Sequence, residues 1–304
     1  MVKNIKEYQC LWYLTIYYYK FILNANKSFH LYFKKRLIIY ILLSIFIDAI
    51  IIQYMKKTAL ITGATSGIGE ATAYEFAKQG INLVLCGRRL ERLNTIEKAL
   101  ERFTDVHILN FDVRDKDETF KAIASLPKAF KTIDILINNA GNAHGLDPIQ
   151  SGNLDDWDAM MDINVKGLLY VSKAVIPQMT ERQSGHIINI GSSAGKEVYP
   201  KGNVYCASKH AVLALTEGMR LDLNPFGIKV GSINPGLVET EFSQVRFKGD
   251  AIADNVYKGF KALQANDIAE IIYFAVSRPP HVNIADLLVF PTAQASSTLV
   301  KKSI

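Results

Sequence analysis

A tyrosine and a lysine stand four positions apart in the segment Tyr205-Cys206-Ala207-Ser208-Lys209. On a helix this spacing brings Tyr205 and Lys209 to one face. A free tyrosine has a pKa of about 10 and is a poor acid–base catalyst at neutral pH. A neighbouring ammonium lowers that pKa towards the working range. The pair alone is a common helical pattern, so its meaning depends on the residues around it.

Two further polar residues can serve such a tyrosine. Ser192 precedes Tyr205 by 13 residues, at the predicted end of a strand, and its hydroxyl can bind the substrate oxygen beside the tyrosine. Asn164 belongs to a long predicted helix, and its amide can hold a water that relays protons to Lys209. The four side chains together predict an active site that works by proton transfer.

A glycine-rich segment, Thr62–Gly69, lies between a predicted strand and a predicted helix. Phosphates bind the free N–H groups at a helix N-terminus, and a Cβ atom would obstruct their approach. The spacing Gly63-x3-Gly67-x-Gly69 differs from the common GxGxxG pattern, but the strand–turn–helix context predicts a dinucleotide loop. We assign the cofactor contacts of this loop to Gly63, Thr65, Ser66, Gly67, Ile68 and Gly69.

Two arginines, Arg88 and Arg89, follow the second predicted strand. NAD-binding proteins place an acidic residue at this point to hold the ribose hydroxyls. No acid is available here, and guanidinium groups pair bidentately with phosphate. The pattern therefore predicts NADP (NADPH) as the cofactor, bound through Arg88 together with Arg89. The alternative is that both are solvated arginines at a helix start.

Polar residues also end the third and fourth predicted strands. Asp112 and Val113 stand where the adenine of a dinucleotide should lie. Asn139 in the segment Asn138-Asn139-Ala140-Gly141 can bond to backbone and cofactor together. Ligands of open α/β sheets bind at the carboxyl ends of the strands, which supports both assignments.

Strands and helices alternate from residue 57 onward, and the predicted strands are continuously apolar. This pattern predicts an α/β fold, a doubly wound Rossmann-type parallel sheet of about seven strands in a single domain. The predicted strands are Thr58–Thr62, Asn82–Cys86, Val106–Asn110, Ile133–Ile137, His186–Ile190, Lys229–Ile233 and Leu287–Phe290. The predicted helices include Glu91–Arg102, Lys116–Ser125, Asp155–Thr180, Val204–Leu223 and Asp267–Ser277.

Charge and cysteine content exclude several classes of protein. The net charge of +6 is concentrated in residues 1–54, which carry seven basic and two acidic residues. The remaining chain is close to neutral, so no nucleic-acid partner is predicted. The three cysteines form no CxxC pair and no histidine cluster has metal spacing, so no metal is predicted. Reduced thiols are typical of a cytoplasmic protein, which is the predicted localisation.

The first 54 residues contain neither glycine nor proline and form an N-terminal hydrophobic and basic extension, before a catalytic NADP-binding domain over residues 55–304. Residues 37–52 are apolar except for Ser44 and Asp48. A membrane anchor is one interpretation, although about 20 residues are needed to cross a bilayer. A single span behind Lys34–Arg36 would also export the domain from its NADPH supply. A signal peptide is disfavoured by position. The favoured interpretation is a translation start at Met55, with residues 1–54 outside the natural product.

Residues 57–292 resemble the short-chain dehydrogenase/reductase family through TGATSGIG, NNAG, the Asn164 position, Ser192, and Tyr205 with Lys209. The resemblance implies an Asn-Ser-Tyr-Lys tetrad with Tyr205 as the general acid–base. It also implies that Lys209 binds the nicotinamide ribose and that Ser192 positions the carbonyl. Homotetramers or homodimers are common in the family, so a homo-oligomer is expected.

A narrower resemblance involves Pro235–Phe242, the stretch Val245–Gly249 and Pro280–Ile284. These segments are similar to the NADP-dependent 3-hydroxy acid dehydrogenase branch, which acts on serine, allo-threonine or malonic semialdehyde. The resemblance implies that the first segment lies over the nicotinamide, with Pro235, Gly236, Val238 and Thr240 as cofactor contacts. Arg246, on a predicted mobile loop, can clamp a substrate carboxylate; the alternative is a solvated arginine.

Four functions remain open at this point. The leading prediction is hydride transfer between NADP and the 3-position of a small hydroxy acid. A reductase of 3-oxoacyl thioesters or steroid-like carbonyls is the second, since long acyl substrates need no carboxylate clamp. A non-enzymatic NADP sensor is disfavoured because Tyr205, Lys209 and Ser192 are all present. A membrane-anchored lipid reductase requires residues 37–52 to be a genuine anchor.

Overall fold

The computed structural model describes residues 40–41, 56–249 and 255–303. From Lys57 onward these residues form one compact unit. Nearly all of the extension, including most of the predicted apolar run 37–52, lies outside the described residues, so the anchor and the domain boundary stay predictions. Within the part of the chain that is described, no helix has the length and apolar character needed to cross a membrane.

A seven-stranded, fully parallel sheet forms the centre of the unit. In spatial order its strands are β3 (Val106–Asn110), β2 (Asn82–Gly87), β1 (Thr58–Thr62), β4 (Ile135–Asn138), β5 (His186–Ile190), β6 (Lys229–Pro235) and β9 (Asp286–Val289). The order reverses between β1 and β4, which opens a crevice at the carboxyl edge of the sheet. A separate two-stranded sheet pairs β7 (Val238–Glu239) with β8 (Leu263–Gln264). The predicted fold is confirmed.

Helices cover both faces of the sheet. They are α1 (Gly67–Lys78), α2 (Leu90–Leu100), α3 (Lys116–Ala124), α4 (Leu154–Met161), α5 (Leu168–Arg182), α6 (Asn203–Leu223), α7 (Phe242–Arg246) and α8 (Ala265–Val276). Short polar side chains begin several of them. Asp115 accepts a hydrogen bond from the backbone N–H of Glu118 at the start of α3, and Asn153 does the same for Asp156 at the start of α4.

The two core clusters on either side of the sheet share the central strands. Within β1, Ala59 and Ile61 belong to the cluster that includes Phe76 of α1, whereas Leu60 belongs to the cluster that includes Val175 of α5. Successive side chains of a strand point to opposite faces, so burial on both faces requires the continuous apolar strands seen in the sequence. Phe76 is fully buried, and its truncation to alanine should cost about 3–5 kcal/mol.

Two predicted elements differ from the structure near the site. The predicted helix Asp155–Thr180 is interrupted by a π-helical turn, Asp162–Gly167, between α4 and α5. The prediction of a loop at Arg246 is wrong, because Arg246 is the last residue of the short helix α7, and the predicted mobility stays a prediction. The third strand has its predicted bounds, Val106–Asn110, and Asp112 and Val113 follow it in the loop just beyond its end. Periodicity alone does not reveal such single-turn irregularities.

Candidate functional site

A cavity of about 570 Å³ occupies the crevice at the carboxyl edge of the sheet. It collects the ends of strands that are far apart in the sequence. Gly69 and Asn164 do not line it and act from behind its wall. The predicted site residues that do line it are Gly63, Thr65, Ser66, Gly67, Ile68, Arg88, Arg89, Asp112, Val113, Asn139, Ser192, Tyr205, Lys209, Pro235, Gly236, Val238, Thr240 and Arg246.

The glycine-rich loop is held tightly against the neighbouring strand end. Gly63 has a φ of +65°, a conformation that costs other residues strain. A Cβ atom on Gly69 would collide with the carbonyl oxygen of Gly63 and with the side chain of Asn139. The Asn139 amide donates to the carbonyl of Thr62 at 2.9 Å and to that of Gly63 at 3.2 Å. The loop therefore presents a preorganised, side-chain-free cradle at the N-terminus of α1, which fits a dinucleotide pyrophosphate.

Arginine side chains surround the far end of this loop. Arg89 donates through Nε to the Thr65 hydroxyl at 3.1 Å and through a terminal nitrogen to the Thr65 carbonyl at 3.1 Å. Arg92 donates to the same carbonyl at 3.3 Å. Arg88 points elsewhere and lies 3.7 Å from the Asp112 carboxylate. Arg89 therefore lines the cleft beside the loop, and Arg92 contacts the same loop at Thr65.

Tyr205 and Lys209 lie on one face of α6, as their spacing predicts. Both are buried, with relative exposures of 8% and 6%. The Lys209 ammonium donates to the carbonyl of Ile190 at 3.0 Å, which fixes it beneath the end of β5. Ser192 follows that strand and lines the same cavity as Tyr205. A hydroxyl pair of this kind can hold one carbonyl or alcohol oxygen between two polar groups.

Asn164 connects the segment at Asn142 to helix α6 through hydrogen bonds. Its Oδ1 accepts from the N–H of Asn142 at 2.8 Å, and its Nδ2 donates to the Asn142 carbonyl at 2.8 Å and to the Ser208 hydroxyl at 3.0 Å. Both amide hydrogens are thus used within the protein, which leaves only the oxygen to contact a water. The π-helical turn aims Asn164 inward, a common use of such turns. The predicted water relay to Lys209 stays a prediction.

The protonation of the two central side chains is set mainly by burial. Burial raises the pKa of Tyr205, aided by Tyr199, while the Ser192 hydroxyl and the charge of Arg246 lower it by less. The predicted lowering of this pKa by the Lys209 ammonium stays a prediction, because burial is the largest influence on Tyr205. Burial lowers the pKa of Lys209 to about 8. Tyr205 is therefore a neutral phenol at neutral pH, beside a lysine that titrates close to that range.

The opposite end of the cavity contains a cation held among aromatic rings. The guanidinium carbon of Arg246 lies 5.4 Å from the ring centre of Tyr205 and 5.7 Å from that of Tyr199. Arg246 donates to the Tyr199 hydroxyl at 3.0 Å and to the Gly145 carbonyl at 3.1 Å. Its own carbonyl accepts from the N–H of Gly145. Arg246 is thus anchored next to the Tyr205 ring rather than solvated, and it can bind an anionic group there.

Several residues of the site have no role in the sequence-based prediction. Arg92 was detectable as a third basic residue one helical turn beyond Arg89. Tyr199 precedes Tyr205 by only six residues, but no local pattern marks it. Phe242, whose ring centre lies 5.8 Å from that of Tyr205, and Glu241 stand within the segment already singled out. Among the described residues, no group of three histidine, cysteine or acidic side chains could hold a metal.

The family model described as short chain dehydrogenase matches residues 57–251. The chain belongs to the short-chain dehydrogenase family and is an oxidoreductase of that family. The resemblance inferred from the motifs is therefore confirmed.

Individual relatives give a narrower comparison. The chain is 46% identical over 248 residues to an NADP-dependent 3-hydroxy acid dehydrogenase of Schizosaccharomyces pombe, covering 80% of this chain and 96% of that protein. It is 44% identical over 245 residues to sulfoacetaldehyde reductase 2 of Chromohalobacter salexigens, covering 80% and 97%. A solved closed form of serine dehydrogenase complexed with NADP+ superposes with a TM-score of 0.76 at 42% identity, covering 81% of this chain and 100% of that one.

Proposed function

We propose that this chain is an NADP-dependent dehydrogenase that transfers a hydride to or from the 3-position of a small hydroxy acid. Serine, allo-threonine and the 3-hydroxypropionate/malonic semialdehyde pair represent the substrate class. The observation that carries the proposal is the Arg246 guanidinium, anchored 5.4 Å from the ring centre of Tyr205. A carboxylate bound at Arg246 would bring the carbon chain of a small acid alongside the Tyr205 ring.

The cofactor of this enzyme is NADP(H), which its relatives share. The residues present fit it. A Cβ atom on Gly69 would fill the cradle at the start of α1, and arginines line the cleft beside Thr65. The loop from Gly63 to Gly69 would hold the pyrophosphate and Arg88 with Arg89 the 2′-phosphate, while Asp112 and Val113 would face the adenine. Pro235, Gly236, Val238 and Thr240 would line the nicotinamide end, beside Lys209. The cofactor supplies the hydride for reduction and accepts it in oxidation.

Tyr205 provides the proton for the substrate oxygen. Its raised pKa keeps the phenol protonated at neutral pH, which suits proton donation to a carbonyl oxygen during reduction. Ser192 donates a second hydrogen bond to that oxygen and so orients the carbonyl. In the direction of oxidation, Tyr205 must first lose its proton, and we expect that direction to be favoured by alkaline pH.

Lys209 can replace the proton that Tyr205 gives up. Its pKa of about 8 allows it to exchange protons near neutral pH, and its position under Ile190 keeps the ammonium at the cleft wall. A Cβ atom on Gly141 would lie 3.5 Å from the Lys209 nitrogen and 2.9 Å from Oδ1 of Asn164. A proton path from Lys209 past Asn164 is consistent with this proximity.

The acid end of the substrate is held by Arg246 and Tyr199. Arg246 uses its Nε on Gly145 and one terminal hydrogen on Tyr199, which leaves further N–H groups for an anion. The rings of Tyr199 and Tyr205 beside the guanidinium lower the local polarity and would strengthen such a contact. A sulfonate could occupy the same position, and a relative named sulfoacetaldehyde reductase makes this the second candidate substrate class.

Turnover of a substrate panel tests the proposed function. The full chain is supplied with NADP+ and 3-hydroxy acids, with NADPH and malonic semialdehyde or sulfoacetaldehyde, and with NADPH and 3-oxoacyl thioesters. We expect the small acids to turn over with the highest kcat/KM. Turnover of thioesters without turnover of the acids would refute the assignment. A clear preference for sulfoacetaldehyde would move it to the second class.

The functional state is proposed to be a homo-oligomer, a tetramer or a dimer. The support is the family resemblance, together with exposed apolar side chains on α5 and α6, among them Leu169 and Leu221. Light scattering with size-exclusion chromatography at micromolar concentration tests this. A monomer would contradict it. Two free buried thiols, Cys86 and Cys206, fit a reducing compartment such as the cytoplasm.

A further inference from the structure

Glu241 links the two ends of the cleft. Its carboxylate accepts from Arg89 at 2.8 Å and from Arg92 at 2.6 Å. These arginines stand at the start of α2 at the cofactor end, whereas Glu241 immediately precedes α7, which carries Arg246 at the substrate end. We name this set of three residues, Glu241 with Arg89 and Arg92, the Glu241 bridge.

Contacts next to the Glu241 bridge also cross the mouth of the cleft. Thr240, just before Glu241, packs on the cofactor loop, because a Cβ atom on Gly67 would lie 3.3 Å from its side chain. Thr65, in the same loop, accepts from both arginines of the bridge. The segment Thr240–Glu241 is therefore fastened to the loop that cradles phosphates.

The other end of α7 is fastened to the substrate end. Phe242 lies against the Tyr205 ring, and Arg246 exchanges hydrogen bonds with Gly145. Phe242 is the residue of α7 that packs on the core cluster around Tyr205, whereas Val245 is exposed. The position of α7 then depends on its two ends, and the Glu241 bridge is the charged contact at the cofactor end.

The bridge remains charged at neutral pH. Hydrogen bonding to Arg89 lowers the pKa of Glu241, burial opposes this, and Arg92 lowers it further. The side chains of Arg89, Arg92 and Glu241 are 42%, 47% and 43% exposed, so solvent and salt screen each pair. Each guanidinium donates to a different oxygen of the Glu241 carboxylate, and such a three-residue network is stronger than an isolated surface pair.

We propose that the Glu241 bridge closes the cofactor cleft and thereby sets how long NADP(H) stays bound, with Glu241 acting as a positioning residue for α7. When the bridge is intact, α7 and Thr240 lie over the cleft that Thr65 and Arg89 line. When it opens, the mouth of the cleft widens while the cradle itself is unchanged. The inference rests on the proposed cofactor site but not on the proposed substrate.

The release rate of NADPH is the first test. Release from the full chain is followed by the loss of NADPH fluorescence when excess NADP+ is added, without any hydroxy acid. We expect Glu241→Gln to speed release by about three- to tenfold, the range for losing a paired charge. Glu241→Asp, which keeps the carboxylate on a shorter side chain, should fall between. The matched control is Glu239→Gln, because Glu239 contacts Gln264 instead of an arginine.

Two results at this step would overturn the proposal. Release from Glu241→Gln at the wild-type rate would mean that the bridge does not retain the cofactor. Slower release would mean that Glu241 instead repels the phosphates. Because no substrate is present, failure of the hydroxy acid assignment cannot produce either result.

A second readout requires no cofactor. Amide hydrogen exchange of residues 242–249 in the nucleotide-free chain should be faster in Glu241→Gln and unchanged in Glu239→Gln, with the central strands protected equally in both. Equal exchange in Glu241→Gln and Glu239→Gln would refute the bridge.

A double-mutant cycle with Arg92→Gln completes the test. We expect Glu241→Gln to have less effect on the rate of NADPH release when Arg92 is already replaced by glutamine. Additive effects of the two substitutions on that rate would refute the bridge.

Discussion

The cofactor end and the substrate end of the cleft are built differently. The cofactor end is a short continuous segment, Gly63–Gly69, whose backbone forms the binding surface and whose neighbour Asn139 braces it. The substrate end combines single side chains from distant segments, notably Ser192, Tyr199 and Arg246. One end is therefore a local backbone structure and the other a meeting of side chains.

This difference has an energetic consequence. The cradle follows a fully buried strand, β1, so distorting it would disturb the core. The substrate end depends on α7, a five-residue helix with exposed residues, held by polar contacts at each end. Substitutions should therefore separate the two ends, removing chemistry or selectivity at one while leaving the other intact.

The largest expected effect comes from Tyr205→Phe. The ring and its contact with Phe242 are retained, but the proton donor is lost, so turnover should fall by about 10²–10⁴-fold. NADPH binding, measured by fluorescence titration, should stay within experimental error of the wild type because the cradle is untouched. An active variant would refute the proposed role of Tyr205, and lost NADPH binding would show that the two ends cannot be separated.

The burial of Lys209 should affect stability in a pH-dependent way. Its folded-state pKa of about 8 lies below the ordinary value of 10.5, so the folded state pays for a buried charge below pH 8. That cost disappears as the pH rises from about 8 to 10.5, because the folded state loses its proton first. Lys209→Met should therefore stabilise the protein by about 3 kcal/mol at pH 7, and by little at pH 10.5.

Denaturant unfolding of the wild type and of Lys209→Met at both pH values measures this difference. The control is Lys173→Met, on an exposed position of α5. A gain that is equal at the two pH values would contradict the depressed pKa. Activity of Lys209→Met should be lost at both.

A smaller effect is expected at the arginine end. Arg89→Gln should weaken NADP+ binding by about 10–100-fold, the value of one charge-assisted contact with phosphate, and should weaken NAD+ binding much less. Calorimetric titration of each cofactor measures the ratio. Arg102→Gln, beyond the end of α2 and over the Phe103 ring, is the matched control. An equal loss of NADP+ and NAD+ binding in Arg89→Gln would contradict the assignment of Arg89 to the 2′-phosphate. If Arg88→Gln weakens NADP+ binding and Arg89→Gln does not, the 2′-phosphate is assigned to Arg88 instead.

The cofactor end could be predicted from the sequence in more detail than the substrate end, because it depends on local backbone geometry rather than on tertiary packing. Apolar strands and glycine spacing record local backbone geometry, so β1, β3 and β5 were placed to the residue and the cradle was located. Arg246 was singled out, but its ordered helix and its contact with Tyr199 arise from tertiary packing. The spacing of Tyr205 and Lys209 indicates a neighbouring charge, but it does not reveal the burial that raises the pKa of Tyr205.

The π-helical turn that contains Asn164 is a second feature that the sequence does not reveal. A π-helical turn changes the pitch for one turn only, which hydrophobic periodicity over the predicted helix Asp155–Thr180 cannot register. The Glu241 bridge was equally invisible, because Glu241 and Arg92 are 149 positions apart.

The most direct test of the account compares an acid with its neutral analogue. The kcat/KM for 3-hydroxypropionate is divided by that for 3-hydroxypropionamide, in the wild type and in Arg246→Gln. We expect the wild type to prefer the acid and the Arg246→Gln variant to lose about 10–100-fold of that preference, through the acid alone. A ratio that Arg246→Gln leaves unchanged would contradict the claim that Arg246 selects an acidic substrate beside Tyr205.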